Sequence, residues 1–280
     1  MILAIDLGNY SIKTSEGIIF TSTFEEGKSN NPIGETTLNY NEEYYTMYKG
    51  NFDNTYNKSE KNYIPNLLLA IYKSVPKDVH NLKLVLGTPV DNPGITLKFK
   101  EELLGKTFKW SVNNHERIVT IDKFATVGEG ISAFYALDKD IRKQPVCILD
   151  IGGRTVNVAV FEKNKLQKKF TISKGMIDLY DIIAAKENTN GKRYKAEQIE
   201  DLLKRGVIKD VVEEEKSFIN YILNEVSRKV DLDLYHNIYT GGGSKALEGH
   251  LRALGGTVMD NALFANCIGN KLIAKKQWEA

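Results

Sequence analysis

The sequence has little of what several common classes of protein require. Its 280 residues contain two cysteines, Cys147 and Cys267, which lie far apart and match neither a disulfide nor a zinc-site spacing. Because both lie in apolar runs, we expect buried free thiols in a reducing compartment. The four histidines form no metal-ligand pair at helical spacing, so we expect them at the surface or satisfied internally.

Charge of one sign and long hydrophobic runs are also lacking. The net charge is +2 with both signs interspersed, which argues against nucleic-acid binding driven by bulk charge. No apolar run approaches membrane-spanning length, and the chain enters a predicted strand at once, without a secretory leader. We therefore expect a cytoplasmic protein with no membrane partner.

Two segments far apart in the chain share one pattern. In residues 4–13 and 149–157 an apolar strand ends in an aspartate, a glycine turn follows, and small polar residues begin another strand. A glycine two residues after the aspartate lets the backbone bring its N–H groups up to a phosphate. Asp6 and Asp150 can hold Mg²⁺ through water. The repetition predicts two similar half-domains that grip one nucleotide.

The residues around each turn favour phosphate binding to different degrees. Ser11 and Lys13 alternate with an apolar residue, so both point to one side of their strand, where the lysine can meet phosphate. Gly152 and Gly153 weaken a strand unless the backbone must approach something, and Arg154 either contacts phosphate or faces solvent. The alternatives are a buried strand that exits into an ordinary turn and a plain hairpin.

A third glycine-rich segment, Tyr239–Ser244, is predicted as a strand, a turn and a helix N-terminus. Free N–H groups at a helix start suit phosphate or ribose, and glycines let a flat purine lie against the backbone. The segment lacks the Lys-Ser/Thr ending of a Walker A loop and the G-x-G-x-x-G spacing. A plain loop is the alternative.

Glu129 lies between two glycines at the start of a helix predicted over Ala125–Leu137. Its carboxylate can orient or polarise water for attack on a γ-phosphate. The alternative is an acidic residue that favours the first helical turn through the helix dipole. The flanking glycines favour the functional interpretation.

The order of elements predicts an α/β architecture that occurs twice. Residues 2–6, 10–15 and 18–24 form an antiparallel meander, followed by a small hairpin-bearing insertion over about 27–62. A second meander comprises Val146–Asp150, Thr155–Phe161 and Lys165–Ile172. Helices are predicted over Tyr63–Val75, Ala196–Arg205, Glu213–Val230 and Leu263–Lys275.

Taken in this order, the segments resemble the actin-like ATPase superfamily, which includes actin, the 70-kDa heat-shock chaperones and sugar kinases. The similar segments are its two phosphate loops (Asp6–Lys13 and Asp150–Asn157), its adenosine motif (Tyr239–Gly249) and its two connecting helices (Glu129–Leu137 and Asn261–Lys271). Within the superfamily the chain is most similar to plasmid-segregating actins of the ParM type, through Leu84–Val90, Glu129–Tyr135 and Asn261–Asn270. One departure is the short region between Gly175 and Tyr239, which implies a reduced upper subdomain.

The resemblance implies duplicated actin-like (ribonuclease H-like) domains with a nucleotide cleft between them. Domain I would cover residues 1–145, with helix 263–280 packing back onto it, and domain II residues 146–262. Glu129 and Asp150 would be catalytic, and Asp6 and Asp150 would hold Mg²⁺ through water. The remaining implied nucleotide contacts are Asp6, Gly8, Asn9, Tyr10, Ser11, Lys13, Gly152, Gly153, Arg154, Thr155, Lys204, Gly241, Gly242, Gly243 and Ser244. For Lys204, a solvated helix-end lysine is the alternative.

The implied function is an ATP-dependent filament, with GTP as an alternative nucleotide, that segregates plasmid DNA and disassembles on hydrolysis. Its partners would be further copies of the chain and a ParR-like adaptor bound to centromere-like DNA, so DNA contact is indirect. The alternative is a small-molecule kinase, since Asp6–Asn9 resembles the opening of type III pantothenate kinases. Their Gly-Ala-Asp-Arg motif is missing, and Asp122 lies too far upstream to serve as the base of a sugar kinase. A non-catalytic scaffold or a cell-division actin is a third option.

Overall fold

A computed structural model describes residues 1–27, 34–52, 62–88 and 93–279. The chain divides into two compact units, the first comprising Met1–Ala136 and Phe264–Ala280 and the second Leu137–Leu263. Parts of the predicted insertion and the end of the segment Leu84–Val90 lie outside the described residues. Among the helices within these ranges, none combines the length and apolar character needed to cross a membrane.

Both units contain strands and helices, and each sheet begins with consecutive strands before its first long helix. The strands are β1 (Ile2–Leu7), β2 (Ser11–Thr14), β3 (Ile19–Thr21), β4 (Phe24–Glu26), β5 (Thr37–Tyr40), β6 (Glu43–Met47), β7 (Asn81–Thr88), β8 (Thr107–Val112), β9 (His115–Gly128), β10 (Val146–Ile151), β11 (Val156–Glu162), β12 (Lys165–Ile172), β13 (His236–Thr240) and β14 (Thr257–Val258). The helices are α1 (Ile64–Ser74), α2 (Pro93–Leu103), α3 (Ile131–Tyr135), α4 (Lys139–Arg142), α5 (Met176–Thr189), α6 (Ala196–Lys204), α7 (Val212–Ser227), α8 (Gly241–Ala246), α9 (Glu248–Ala253) and α10 (Ala265–Trp278).

A nine-stranded sheet, in the order β3-β2-β1-β7-β9-β8-β5-β6-β4, forms the framework of the first unit. Strand β1 is an unbroken, fully buried run, as expected for a strand covered on both faces. It pairs antiparallel with β2 and parallel with β7, and β2 pairs antiparallel with β3. The predicted meander is confirmed, and α1 covers it with its buried residues Leu67, Leu68 and Leu69.

The predicted hairpin is present and continues the same sheet. Strands β5 and β6 pair antiparallel, β5 also pairs with β8, and β6 also pairs with β4. Leu38, Tyr45 and Met47 are buried in the main core cluster of the unit. The hairpin therefore contributes an apolar face to this core.

The helix predicted over Ala125–Leu137 is wrong in its first half. Strand β9 continues to Gly128, paired in parallel with β7, and α3 begins only at Ile131. Val127, which counts towards the predicted helical stripe, packs instead against the core formed by β1, β7 and α10. A short apolar segment fits either period, and pairing with β7 decides in favour of the strand.

The second unit repeats the arrangement on a five-stranded sheet, in the order β12-β11-β10-β13-β14. Strand β10 is fully buried and, like β1, has an antiparallel neighbour on one side and a parallel neighbour on the other. The orders β3-β2-β1-β7 and β12-β11-β10-β13 correspond element by element, so the predicted duplication of architecture is confirmed. Strand β12 spans the predicted residues and forms a lysine-rich sheet edge, a feature that discourages edge pairing.

Candidate functional site

The first candidate turn connects β1 to β2 and is built around Gly8. A Cβ at this position would lie 2.5 Å from the carbonyl oxygen of Ser11, so the turn closes only with glycine. Asp6, the penultimate residue of β1, is buried and lies opposite Lys13 in the register of the two strands. A tight turn thus follows a buried strand-end carboxylate, as the sequence predicts.

Lys13, the predicted phosphate-binding lysine, lies on β2 beside Asp6. The Lys13 Nζ lies 3.6 Å from the Asp6 Oδ2, with both side chains largely buried. Asn9 accepts a hydrogen bond from the Ser22 hydroxyl through its backbone carbonyl. The Tyr10 ring stacks on Phe52 with centroids 4.7 Å apart, so this side chain packs against its own unit.

Glu129 lies in the turn between β9 and α3 rather than in a helix. The residue is 8% exposed, and its N–H donates to the Thr88 carbonyl at the end of β7, at 2.9 Å. The next N–H, that of Gly130, donates to the Asn266 Oδ1 at 3.1 Å. The backbone is therefore held on both sides of the Glu129 side chain. Sequence reasoning missed Asn266, whose contact spans more than a hundred residues.

The second candidate turn connects β10 to β11 and is anchored on α5. The Gly152 N–H donates to the Thr155 carbonyl at 2.9 Å, which closes the turn. The carbonyls of Gly152 and Gly153 accept from the first two N–H groups of α5, at 3.0 and 2.9 Å. The first N–H groups of a helix have no hydrogen-bond partner within the helix. Here they bond to the carbonyls of the turn, so the start of α5 and the turn satisfy each other's backbone groups.

Gly175 makes that docking possible, and sequence reasoning missed it. A Cβ there would lie 2.5 Å from the Gly153 carbonyl and 2.6 Å from the Arg154 nitrogen. Arg154 itself lies near Asp181 of α5: burial raises the pKa of the Asp181 carboxyl, and the Arg154 guanidinium opposes that shift. A glycine that separates a strand from a helix was the available signal.

Asp150 is 6% exposed and lies between two elements of the site. It pairs with Asn157 of β11 and with Thr240 at the end of β13. A Cβ on Gly241 would lie only 2.4 Å from the Asp150 Oδ1. The second strand-end carboxylate and the glycine run therefore adjoin each other within one unit.

The glycine run is the first turn of helix α8 and not a turn before a helix, which corrects the prediction. Gly241 has a φ of +86°, and its N–H donates to the Ala262 carbonyl. A Cβ on Gly243 would lie 2.4 Å from the Ile151 Cγ2. Ser244 is fully buried and donates its hydroxyl to the Thr240 carbonyl, so that side chain supports the helix start.

Lys204 is the last residue of α6. Its side chain is 71% exposed and pairs with Glu200 one turn earlier. This placement agrees with the alternative of a solvated helix-end lysine.

The cysteines and histidines occupy ordinary positions. Both cysteines are buried and free, as predicted. His236 and His250 hydrogen-bond to Thr257 and Glu215, each at 2.9 Å. Among the residues that the structure describes, no group of three or more metal-binding side chains lies together. A hydrated Mg²⁺ needs no such group, since it keeps several waters and takes one or two carboxylates.

Comparison with known proteins defines the fold. No family model matches the sequence, and no curated protein matches it. Solved structures do match: the archaeal actin homologue Ta0583 is 18% identical with a TM-score of 0.82, covering 98% of this chain and 99% of that one. Its ADP complex is 19% identical with a TM-score of 0.80 and covers 99% of each chain.

A 15-stranded ParM filament from Clostridium botulinum is also similar, at 22% identity and a TM-score of 0.79, covering 98% of this chain and 99% of that one. Similarity over the full length of both chains establishes that this protein has the two-sheet α/β fold of actin homologues and ParM proteins. The predicted fold class is confirmed.

Proposed function

We propose that this chain binds ATP with Mg²⁺, polymerises in the ATP-bound form and disassembles after hydrolysis. The observation that carries the proposal is the duplicated site: each unit presents a buried strand-end aspartate followed by a tight glycine turn, in which a Cβ would lie 2.5 Å from a backbone carbonyl oxygen at Gly8 and 3.1 Å from one at Gly152. Tight turns of this kind suit phosphate oxygens. The fold is shared with a protein solved with ADP and with one solved as a filament.

Each of the two turns offers a carboxylate, the kind of ligand that a hydrated magnesium ion takes. Asp6 and Asp150 would hold it through water, and when bound it would neutralise phosphate charge. Gly8, Ser11, Lys13, Gly152 and Gly153 would bind phosphates, with Asn9, Tyr10, Arg154 and Thr155 beside them. The glycines of residues 241–243 would lie against the nucleoside, with Ser244 fixing the helix start and Lys204 a peripheral contact. GTP is the alternative nucleotide.

Glu129 would act on the attacking water. A carboxylate that accepts a hydrogen bond from that water orients it for in-line attack on the γ-phosphorus, and positioning is most of what phosphoryl transfer requires. The backbone contacts to Thr88 and Asn266 hold Glu129 in place for this role. Its burial limits competing solvent.

As a filament protein the chain would act in the cytoplasm, where its buried thiols stay reduced. Its first partner would be a second copy of itself. A ParR-like adaptor bound to centromere-like plasmid DNA would be the other, with no direct DNA contact by this chain. Segregation of plasmid DNA is the cargo function that we propose.

Pelleting with ATP, with ADP and without nucleotide tests the proposal. We expect sedimentation with ATP and much less in the other two conditions. Asp150→Asn keeps the shape of the side chain and should abolish magnesium-dependent hydrolysis. A protein that stays soluble in all three conditions and phosphorylates a metabolite would be a kinase, and the filament proposal would be wrong.

A further inference from the structure

Helix α10 presents two asparagines, one turn apart, to the turn that carries Glu129. Residues four apart lie on the same face of a helix, so Asn266 and Asn270 form one polar strip. The Asn266 Oδ1 accepts from the Gly130 N–H at 3.1 Å and from the Ser132 hydroxyl at 2.9 Å. This residue thereby ties α10 to the backbone next to Glu129.

Asn270 differs from Asn266 in its hydrogen bonding. It is fully buried, and within the described residues neither its Nδ2 nor its Oδ1 has a hydrogen-bond partner. A buried polar group without a partner costs stability, and an apolar side chain of similar shape would avoid that cost. Its presence therefore calls for a functional explanation.

The position of Asn270 supplies one. A Cβ on Gly87 would lie 3.7 Å from the Asn270 Nδ2, 3.5 Å from the Glu129 Cγ and 3.8 Å from the Glu129 Oε1. The amide and the carboxylate thus flank the same small space above Gly87. All three residues belong to the first unit.

We propose that Asn270 is a positioning residue for Glu129, an inference that rests on the hydrolytic function proposed above. In the nucleotide-bound protein its Nδ2–H donates a hydrogen bond to one carboxylate oxygen of Glu129. The other carboxylate oxygen is then left to accept from the attacking water. Asn266 holds the backbone of the same turn, so α10 fixes both the main chain and the side chain of Glu129.

Asn270→Leu in the full chain separates this role from a structural one. The substitution removes an unpartnered amide, so we expect an unfolding temperature equal to or above that of the wild type. Single-turnover ATP hydrolysis should fall about 10- to 100-fold, with the Kd for a fluorescent ATP analogue within about threefold of wild type. Asn270→Ala, which cannot collide with Gly87, should show the same split between binding and turnover.

Thr37→Val is the matched control. Its Oγ1, on β5, is also buried and has no partner among the residues that the structure describes, and valine has the same shape. This variant should match or exceed wild-type stability with unchanged hydrolysis, which shows that removing an unpaired atom does not by itself slow turnover.

Two outcomes would overturn the inference, and they differ. If the wild type hydrolyses ATP and both Asn270 variants hydrolyse it at the wild-type rate, the inference fails while the proposed function stands. If the wild type binds ATP but does not hydrolyse it, and Glu129→Gln changes nothing, the proposed hydrolysis fails and the inference falls with it.

Discussion

The glycines at positions 241, 242 and 243 have different physical reasons to be glycine. Gly241 has a positive φ and lies against Asp150, and Gly243 lies against Ile151, so packing within the unit accounts for both. At Gly242 the only atom that a Cβ would meet, among the residues that the structure describes, is the Leu263 Cδ2 at 3.8 Å, an ordinary contact. Packing among the described residues therefore does not require glycine at position 242, which makes this position suitable for testing the proposed nucleotide contact.

Gly242→Ala should therefore weaken nucleotide binding without weakening the fold. Alanine suits a helical position better than glycine, so we expect an unchanged or higher unfolding temperature. If a purine lies on the backbone here, the Kd for ATP should rise about tenfold or more, which equilibrium fluorescence titration would measure. Gly243→Ala is the contrast, since its Cβ would overlap Ile151 and should lower stability. An unchanged Kd for Gly242→Ala would remove this segment from the nucleotide contacts.

The two thiols should be inert in the folded protein. Burial raises the pKa of the Cys147 thiol to about 12, and burial is also the main cause that raises the pKa of Cys267. Because the thiolate is the reactive form, a raised pKa leaves almost none of it at pH 8. We expect no reaction with Ellman's reagent between pH 7 and 9 in the native protein, and two reactive thiols after unfolding. A native thiol that reacts at the rate of free cysteine would contradict the burial.

Helices α3 and α10 meet at the level of the backbone. A Cβ on Gly269 would lie 1.8 Å from the Ser132 carbonyl oxygen, a separation that no side chain can accommodate. The crossing therefore fixes where α10 lies over α3. The contacts of Asn266 with Gly130 and Ser132 depend on this approach.

Gly269→Ala should destabilise the protein by about 1–3 kcal/mol or more, because overpacking forces the backbone to shift. Gly249→Ala in α9 is the matched control, since no packed neighbour in the described part of the chain lies within 4 Å of its Cβ position. That substitution should raise the free energy of unfolding by about 0.5–1 kcal/mol, because alanine has a higher helix propensity than glycine. Urea denaturation of the three proteins measures both effects. Equal midpoints for the two variants would show that α10 can shift without cost.

Sequence patterns predicted where strands and helices lie better than they predicted which strands pair with each other. The buried runs of β1 and β10 and the alternation in β2, β5 and β12 are local signals, and the structure confirms these strands. The error at residues 125–128 arose because strand pairing with β7 overrode a short helical stripe. The addition of β4, β5 and β6 to the main sheet depends on distant strands, which no local pattern reveals.

In the candidate site too, residues with a local sequence signal were predicted and residues defined by distant contacts were not. Glycine turns after buried aspartates were visible because each is contained in a few residues. Gly175, Asn266 and Asn270 were missed, because what they touch lies elsewhere in the chain. For the asparagines the available signal was two amides four residues apart on the buried face of a helix.

At the scale of the whole molecule, Glu129→Gln should leave filament assembly with ATP intact and slow filament disassembly. The substitution keeps the size of the side chain but removes its ability to act as a base, so hydrolysis should fall about 100-fold or more. ATP affinity should change little, since this carboxylate does not neutralise phosphate. The variant should polymerise with ATP and then persist.

Light scattering after a limiting addition of ATP, with phosphate release measured in parallel, gives the readout. We expect wild-type filaments to decay as phosphate appears and variant filaments to outlast them. Decay at the wild-type rate with normal phosphate release would show that Glu129 has a structural role before α3 and no role in hydrolysis. Decay at that rate without phosphate release would show that disassembly does not require hydrolysis.

The first unit is discontinuous in the chain, which matters during synthesis. Its sheet is specified by residues 1–136, but α10 returns to it only after the whole of the second unit has been made. Domains tend to fold as they leave the ribosome, so the uninterrupted second unit can complete its core while the first still lacks a helix. Asn266, Gly269 and Asn270 all lie on that last helix. Until translation has passed α10, a nascent chain thus holds the Glu129 turn through the Thr88 carbonyl but without the contacts of Asn266, and on the proposed function it would hydrolyse ATP only after α10 has packed.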